Sequence, residues 1–194
     1  MCQAIYTTLM ISKKEKIIEA ACTTLIREGS SNFSMRKVAE ELSMSLGNLQ
    51  YHFKTKSDLI QGIMKRYIEI YRIEFEKFIQ NSNKGREVLE QLIKKILIDE
   101  VNDDDPFFIA LYGFAEQKGM DIPLKYFYGE LFNLLGQALE KIADSPCSPE
   151  AIYRGTALLL PYIEGYGSVG SYVKLDHDEM SRLLTDTVWN ILKD

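Results

Sequence analysis

The sequence predicts an all-α chain of about nine helices: three short N-terminal helices holding a helix-turn-helix, then a six-helix domain. Three observations carry this. Apolar residues, 46% of the 194, recur at three- and four-residue spacings along most of the chain. Helix-start and helix-stop residues punctuate those stretches at regular intervals. No stretch shows convincingly the two-residue alternation of a half-buried strand. There is also no run of eighteen apolar residues, so no membrane-spanning helix is expected.

The elements follow in order. Met1 to Ile11 lacks a charged start and a small-residue cleavage site, and reads as a disordered arm within residues 1–12, not a signal peptide. Met10 is a second position at which translation can begin. Lys13 to Glu28 puts Ile17, Ala21, Thr24 and Leu25 on one helical face, widened by Ile18, Cys22 and Ile26. Gly29 is its C-cap. Ser34 caps a short helix, Met35 to Leu42, and Ser43-Met44 is a turn. Ser45 caps a third helix to about Tyr51. Thr55 and Asp58 form the capping box of a fourth, Lys56 to about Gln80. A fifth covers about Arg86 to Val101. Asn102 to Pro106, with three aspartates facing the helix dipole, starts a sixth that runs to about Gln117. Asp121 and Pro123 open a seventh, to about Ala143. Ser148-Pro149 opens an eighth, which fades between Gly165 and Gly170. Asp176 to Leu192 closes the chain.

Ser34 to Phe53 carries the chemistry. Two helices joined only by Ser43-Met44 must cross steeply. Ala39 is small where they meet, and Val38, Leu42, Met44 and Leu49 supply their common core. The second helix then presents Ser45, Leu46, Gly47, Asn48, Gln50, Tyr51 and His52. This face is nearly uncharged but rich in hydrogen-bonding groups. Asn and Gln suit adenine edges in the major groove; Tyr, His and Ser suit phosphate. Lys54 and Lys56 follow at once, beside a helix N-terminus that favours anions. Double-stranded DNA is the partner this pattern fits.

The net charge of −5 is unevenly spread. Residues 1–60 carry +2 and the remainder −7, so the N-terminal part is free to face phosphate. Cys2, Cys22 and Cys147 are odd in number and far apart, as in a reducing cytosol, and the expected location is cytoplasmic. Cys22 lies on the apolar stripe of the first helix and is expected to fill core.

Residues 13–60 resemble the DNA-binding domain of the tetracycline-repressor family. The resemblance rests on Ile17 to Gly29, on Phe33-Ser34-Met35-Arg36-Lys37-Val38-Ala39, and on Gly47-Asn48-Leu49-Gln50-Tyr51-His52-Phe53-Lys54-Thr55-Lys56-Ser57-Asp58-Leu59. It implies a homodimeric, ligand-responsive transcription regulator, usually a repressor, that binds a palindromic operator. It implies a base contact for Arg36, base-facing positions for Leu46, Gly47 and Gln50, and phosphate contacts for Ser34, Asn48, Tyr51, His52 and Lys56. Three positions depart from the family pattern. Ser43 replaces the usual turn Gly. Leu46 stands where a polar or basic residue is common, and suits a thymine methyl or no specific contact. Gln50 replaces the usual Tyr and favours adenine.

By the same resemblance, residues 61–194 form a ligand-binding and dimerisation domain. An apolar or aromatic effector would meet Tyr67, Phe108, Tyr112, Phe132 and Tyr162, with Glu116 or Glu164 as a polar anchor. Leu158 to Gly170 is otherwise nearly free of charge, so Glu164 is expected to be semi-buried and to need a partner. The dimer face is expected on the last two helices. There Leu158, Pro161, Tyr162, Gly165 and Val169 oppose Leu183, Leu184, Thr187, Val188 and Ile191 of the second copy.

Two other function classes fit the residues less well. An enzyme is disfavoured, because only His52 and His177 are present and neither a nucleophile elbow nor a phosphate loop occurs. Asp176-His177-Asp178-Glu179 and Asp103-Asp104-Asp105 read as acids at helix starts, and no cofactor or metal is implied. The alternative is a helical protein-interaction module without sequence-specific DNA binding.

Overall fold

The computed structural model of the chain describes residues 12–80, 83–102, 113–114, 117–173 and 176–194; for 99–102 and 167–173 it describes the backbone alone. In chain order the helices are α1 (Lys13–Asn32), α2 (Met35–Glu41), α3 (Leu46–His52), α4 (Lys56–Gln80), α5 (Arg86–Asn102), α6 (Asp121–Ile142), α7 (Pro149–Val173) and α8 (His177–Lys193). Among the described residues all regular structure is helical. The helix expected between Pro106 and Gln117 falls largely outside them. The described residues form two compact units, one from 12–67 with 113–127 and one from 68–102 with 128–194.

In the first unit, short-range caps set the starts of α1, α2, α3 and α4. Ser12 Oγ accepts from Glu15 N at 3.2 Å, while Ser12 N donates to Glu15 Oε2 at 2.7 Å. Hydrogen bonding by the Ser12 backbone first, and by its side chain second, holds the Glu15 carboxyl below its ordinary pKa. Gly29 leaves helical conformation at φ 70°, which glycine adopts without steric cost. One more turn follows it, so α1 reaches Asn32. Ser34 and Ser45 cap α2 and α3, accepting from Lys37 N at 3.3 Å and Asn48 N at 3.2 Å. Thr55 and Asp58 form the expected box at the start of α4, at 2.9 and 3.0 Å. Ile17, Ala21 and Leu25 of α1, Val38 and Ala39 of α2, Leu49 of α3 and Leu59, Ile63 and Met64 of α4 form the core. Leu42 and Met44 are half-buried at its edge. Ile26, expected on the apolar stripe, is exposed.

A charged cluster binds α1 to α2. Arg27 reaches Glu28 at 3.0 Å and Glu41 at 2.9 Å, and Lys37 pairs with Glu28. Lys37 first, and Arg27 second, hold the Glu28 carboxyl below its ordinary pKa. Two cations near the helix-turn-helix are thereby already paired within the protein.

In the second unit, α5, α7 and α8 pack on one another and on α6. Leu89, Ile93 and Leu97 of α5, Ala138 and Leu139 of α6, Leu159 and Ile163 of α7 and Leu184 and Val188 of α8 form its centre. Gly85, at φ 119°, bonds through its N–H to Ile142 O at 2.8 Å, closing the loop before α5 onto the end of α6. Arg86 of α5 grips Asp186 of α8 at 2.7 Å. Asp176 is the N-cap of α8, accepting from Asp178 N at 2.9 Å and Glu179 N at 3.0 Å. The acidic run there serves a helix start. The α7 helix continues to Val173 rather than fading between Gly165 and Gly170.

Candidate nucleic-acid interface

The α3 helix is held by one fully buried side chain, Leu49, and by Phe53 just beyond its end. Its remaining residues face outward. Ser45, Leu46, Gly47, Asn48 and Gln50 are exposed, Tyr51 is 85% exposed and His52 is half-buried. The ring of Tyr51 stands edge-on to His52 at 5.2 Å. Little in the unit explains so open an aromatic, and an exposed aromatic beside hydrogen-bonding side chains suits a partner surface.

Gly47 has no atom within 4 Å of where a Cβ would stand, so packing inside the protein does not require glycine there. It lets an outside partner approach the backbone closely. The turn before α3 holds Ser43 at φ 50°, a left-handed conformation that costs a non-glycine residue about 1–2 kcal/mol. Met44 N donates to Ala39 O at 2.9 Å across that turn, and this crossing fixes the angle between α2 and α3.

The sequence-expected residues are placed as follows. Arg36 is exposed, with only a loose 3.9 Å pairing to Glu40. Such surface pairs contribute little, so its guanidinium is available. Lys54 is exposed beyond the end of α3. The hydroxyls of Ser34 and Ser45 are engaged as helix caps. Lys56 is turned inward, its Nζ donating to Gln117 Oε1 at 3.1 Å. Lys13, which periodicity did not single out, brings its Nζ within 3.4 Å of Asn48 Oδ1. It adds an exposed cation at the edge of the α3 face. Nothing local in the sequence signals this, since the two residues are thirty-five apart.

The expected effector and dimer residues are less gathered. Phe108, Tyr112 and Glu116 lie outside the described residues, and so does the side chain of Val169. Tyr67 is buried in the first unit. In the second unit, Phe132 lines an open groove of about 460 Å³ with Tyr153, Ile152, Arg72 and Glu140. Tyr162 donates to Met180 Sδ at 3.2 Å, and Glu164 is half-buried and accepts from Tyr128 at 3.3 Å. On α8, Leu184 and Val188 face inward and are buried, whereas Leu183 is 58% exposed and Thr187 also faces out. One residue along a helix is a rotation of about 100°, so the outward stripe is the one through 183 and 187. On α7, Leu158 and Gly165 are exposed, and Ile191 of α8 is half-buried.

Residues 17–63 match the family model of bacterial regulatory proteins, tetR family. Over 187 residues the chain is 26% identical to an uncharacterised helix-turn-helix transcriptional regulator from the dhlA 5′ region of Xanthobacter autotrophicus, covering 94% of this chain and 91% of that protein. Two solved structures are similar over nearly the whole chain. One is the transcriptional regulator FadR of Bacillus subtilis in complex with stearoyl-CoA, with TM-score 0.65 and 15% identity over 91% of this chain and 97% of that one. The other is the multidrug-binding protein EbrR complexed with imidazole, with TM-score 0.67 and 16% identity over 93% and 95%. At such identities the structural likeness establishes the fold, and the family match establishes what the helix-turn-helix is. The relatives are regulators and not enzymes. Among the described residues, no helix is long and apolar enough to cross a membrane. The turn at Ser43, the buried Leu49 and the open face of α3 thus lie within a segment, residues 17–63, that matches the DNA-binding domain of bacterial regulatory proteins of the tetR family.

Proposed function

We propose that the protein is a cytoplasmic, homodimeric repressor that binds a palindromic operator and releases it on binding a small, mainly apolar or aromatic effector. The outward face of α3 carries the reading. It offers Gln50 to base edges, Leu46 to a thymine methyl, Gly47 to close backbone approach, and Asn48, Tyr51 and His52 to phosphate. Arg36, Lys54 and Lys13 are the exposed cations around it.

A dimer is supported by the exposed apolar residues of the last two helices. From Leu158 and Gly165 on α7 and Leu183, Thr187 and Ile191 on α8, two copies would build an isologous four-helix contact. Leu184 and Val188 back that face from inside the protomer. An apolar or aromatic effector is supported by the aromatic residues of the second unit and by the acyl and imidazole ligands bound by two proteins of this fold. The half-buried Glu164–Tyr128 pair supplies a polar anchor. Effector binding shifts operator affinity only through its differential affinity for two conformations of the protein.

Selection of tight binders from a random duplex pool tests the reading. An enriched inverted repeat with half-sites about 34–36 Å apart, one helical turn, is the expected result. Weak binding that merely declines with salt and enriches no sequence would refute it and favour the protein-interaction module.

A further inference from the structure

A lysine in the first turn of α4, just after the recognition helix, is well placed by sequence for phosphate. The ammonium of Lys56 instead points into the first unit. It donates to Gln117 Oε1 at 3.1 Å and lies 5.6 Å from the ring centre of Phe33 and 5.4 Å from that of Phe114. Those two rings meet edge to face at 6.3 Å, and both are buried. Gln117 in turn donates through Nε2 to Ser30 O and to Gly113 O, each at 3.1 Å. One glutamine side chain thus joins the end of α1, the start of α4 and the turn at 113–114. The half-buried ammonium has exchanged part of its water for two aromatic faces and an amide oxygen, and burial lowers its pKa. Lys54, two residues earlier, is exposed and has no such enclosure.

We propose that Lys56 is a positioning residue: through Gln117 it latches the start of α4 to Gly113 and to the end of α1 and sets the pose of α3, without itself meeting phosphate. Only Phe53, Lys54 and Thr55 separate α3 from α4, so fixing the first turn of α4 fixes where α3 ends. The partner is sixty-one residues away in sequence, on the stretch by which the chain returns to this unit after leaving it at Tyr67. This inference rests on the DNA-binding reading above.

The test uses the full chain and the inverted repeat enriched by selection. Lys56→Met removes the charge and keeps the stem; Gln117→Ala removes the acceptor at a position that no phosphate contact explains. Lys54→Ala is the exposed comparator. Each latch variant is expected to weaken binding by about tenfold, the scale of one hydrogen bond to a charged group, with the slope of log affinity against log salt unchanged. The double variant should be no weaker than either single one. Lys54→Ala should lower the magnitude of that slope by about one. A slope lowered by about one in Lys56→Met, with Gln117→Ala silent, would make Lys56 a phosphate contact and overturn the latch. Amide exchange of the first turn of α4 in the free protein gives a readout without DNA. Faster exchange in both variants supports the latch, and unchanged exchange in both overturns it, whether or not the operator reading survives.

Discussion

Changing Gly47 to Ala separates folding from recognition within one residue. Gly47 is in the first turn of α3, is exposed, and has no atom within 4 Å of the site a Cβ would occupy. The protein therefore has room for the methyl group. Alanine in place of glycine in a helix stabilises by roughly 0.5–1 kcal/mol, chiefly by narrowing the unfolded ensemble. For a chain of this size that raises Tm by about 1–4 °C. Operator binding should move the other way. A methyl group interposed between the α3 backbone and a base edge disturbs a contact of about 1–3 kcal/mol, or roughly five- to 150-fold in Kd. Thermal unfolding and a binding titration at one fixed salt concentration measure the two effects on the same preparation. Increased stability with weakened binding is the expected pair. Unchanged affinity in a well-folded variant would place Gly47 away from the DNA, and lowered stability would mean that the open space around it is occupied by the protein itself.

Four further outcomes follow from the same geometry. Leu49→Ala, which empties the buried anchor of α3, should destabilise the protein by about 2–5 kcal/mol, whereas Tyr51→Ala, at a largely exposed ring, should change stability by less than about 0.5 kcal/mol and still weaken operator binding; denaturant titration beside a gel-shift assay distinguishes them. Ser43→Gly should stabilise by about 0.5–1 kcal/mol, since it relieves a left-handed serine at some cost in unfolded-state entropy, and a lower Tm would show that the serine side chain is needed in the turn. Backbone hydrogen bonds from Glu179 first and Asp178 second hold the Asp176 carboxyl below its ordinary pKa, so its stabilising effect is full above the ordinary aspartate range and fades as pH falls through the lowered value; Asp176→Ala should therefore lower Tm at neutral pH and differ less from the parent in acid. Leu183→Glu, on the exposed stripe of α8, should shift the protein from dimer to monomer in analytical ultracentrifugation while leaving the helical circular dichroism intact, and a persistent dimer would remove this face from the interface.

What the sequence settled on its own was local. A helix start needs a side-chain oxygen three residues before the backbone N–H it receives, so Ser34, Ser45, Thr55 with Asp58, and Asp176 are readable from spacing alone. A helix face repeats every three or four residues, so Ile17, Leu25, Val38 and Leu49 were legible as core. The same periodicity blurs where one apolar stripe ends and the next begins. Hence Ile26 stands exposed, Leu184 and Val188 lie inside the protomer while Leu183 lies outside, and α7 runs on through Gly165. The tertiary structure alone decided which polar groups near α3 stand open and which are engaged within the protein. Lys54 and Lys56 are two residues apart and chemically identical, yet one is open to solvent and the other is enclosed by Phe33, Phe114 and Gln117. Lys13 reaches Asn48 across thirty-five residues. Such pairings depend on where distant segments come to rest, and their energy is set by burial and distance, neither of which a spacing along the chain encodes.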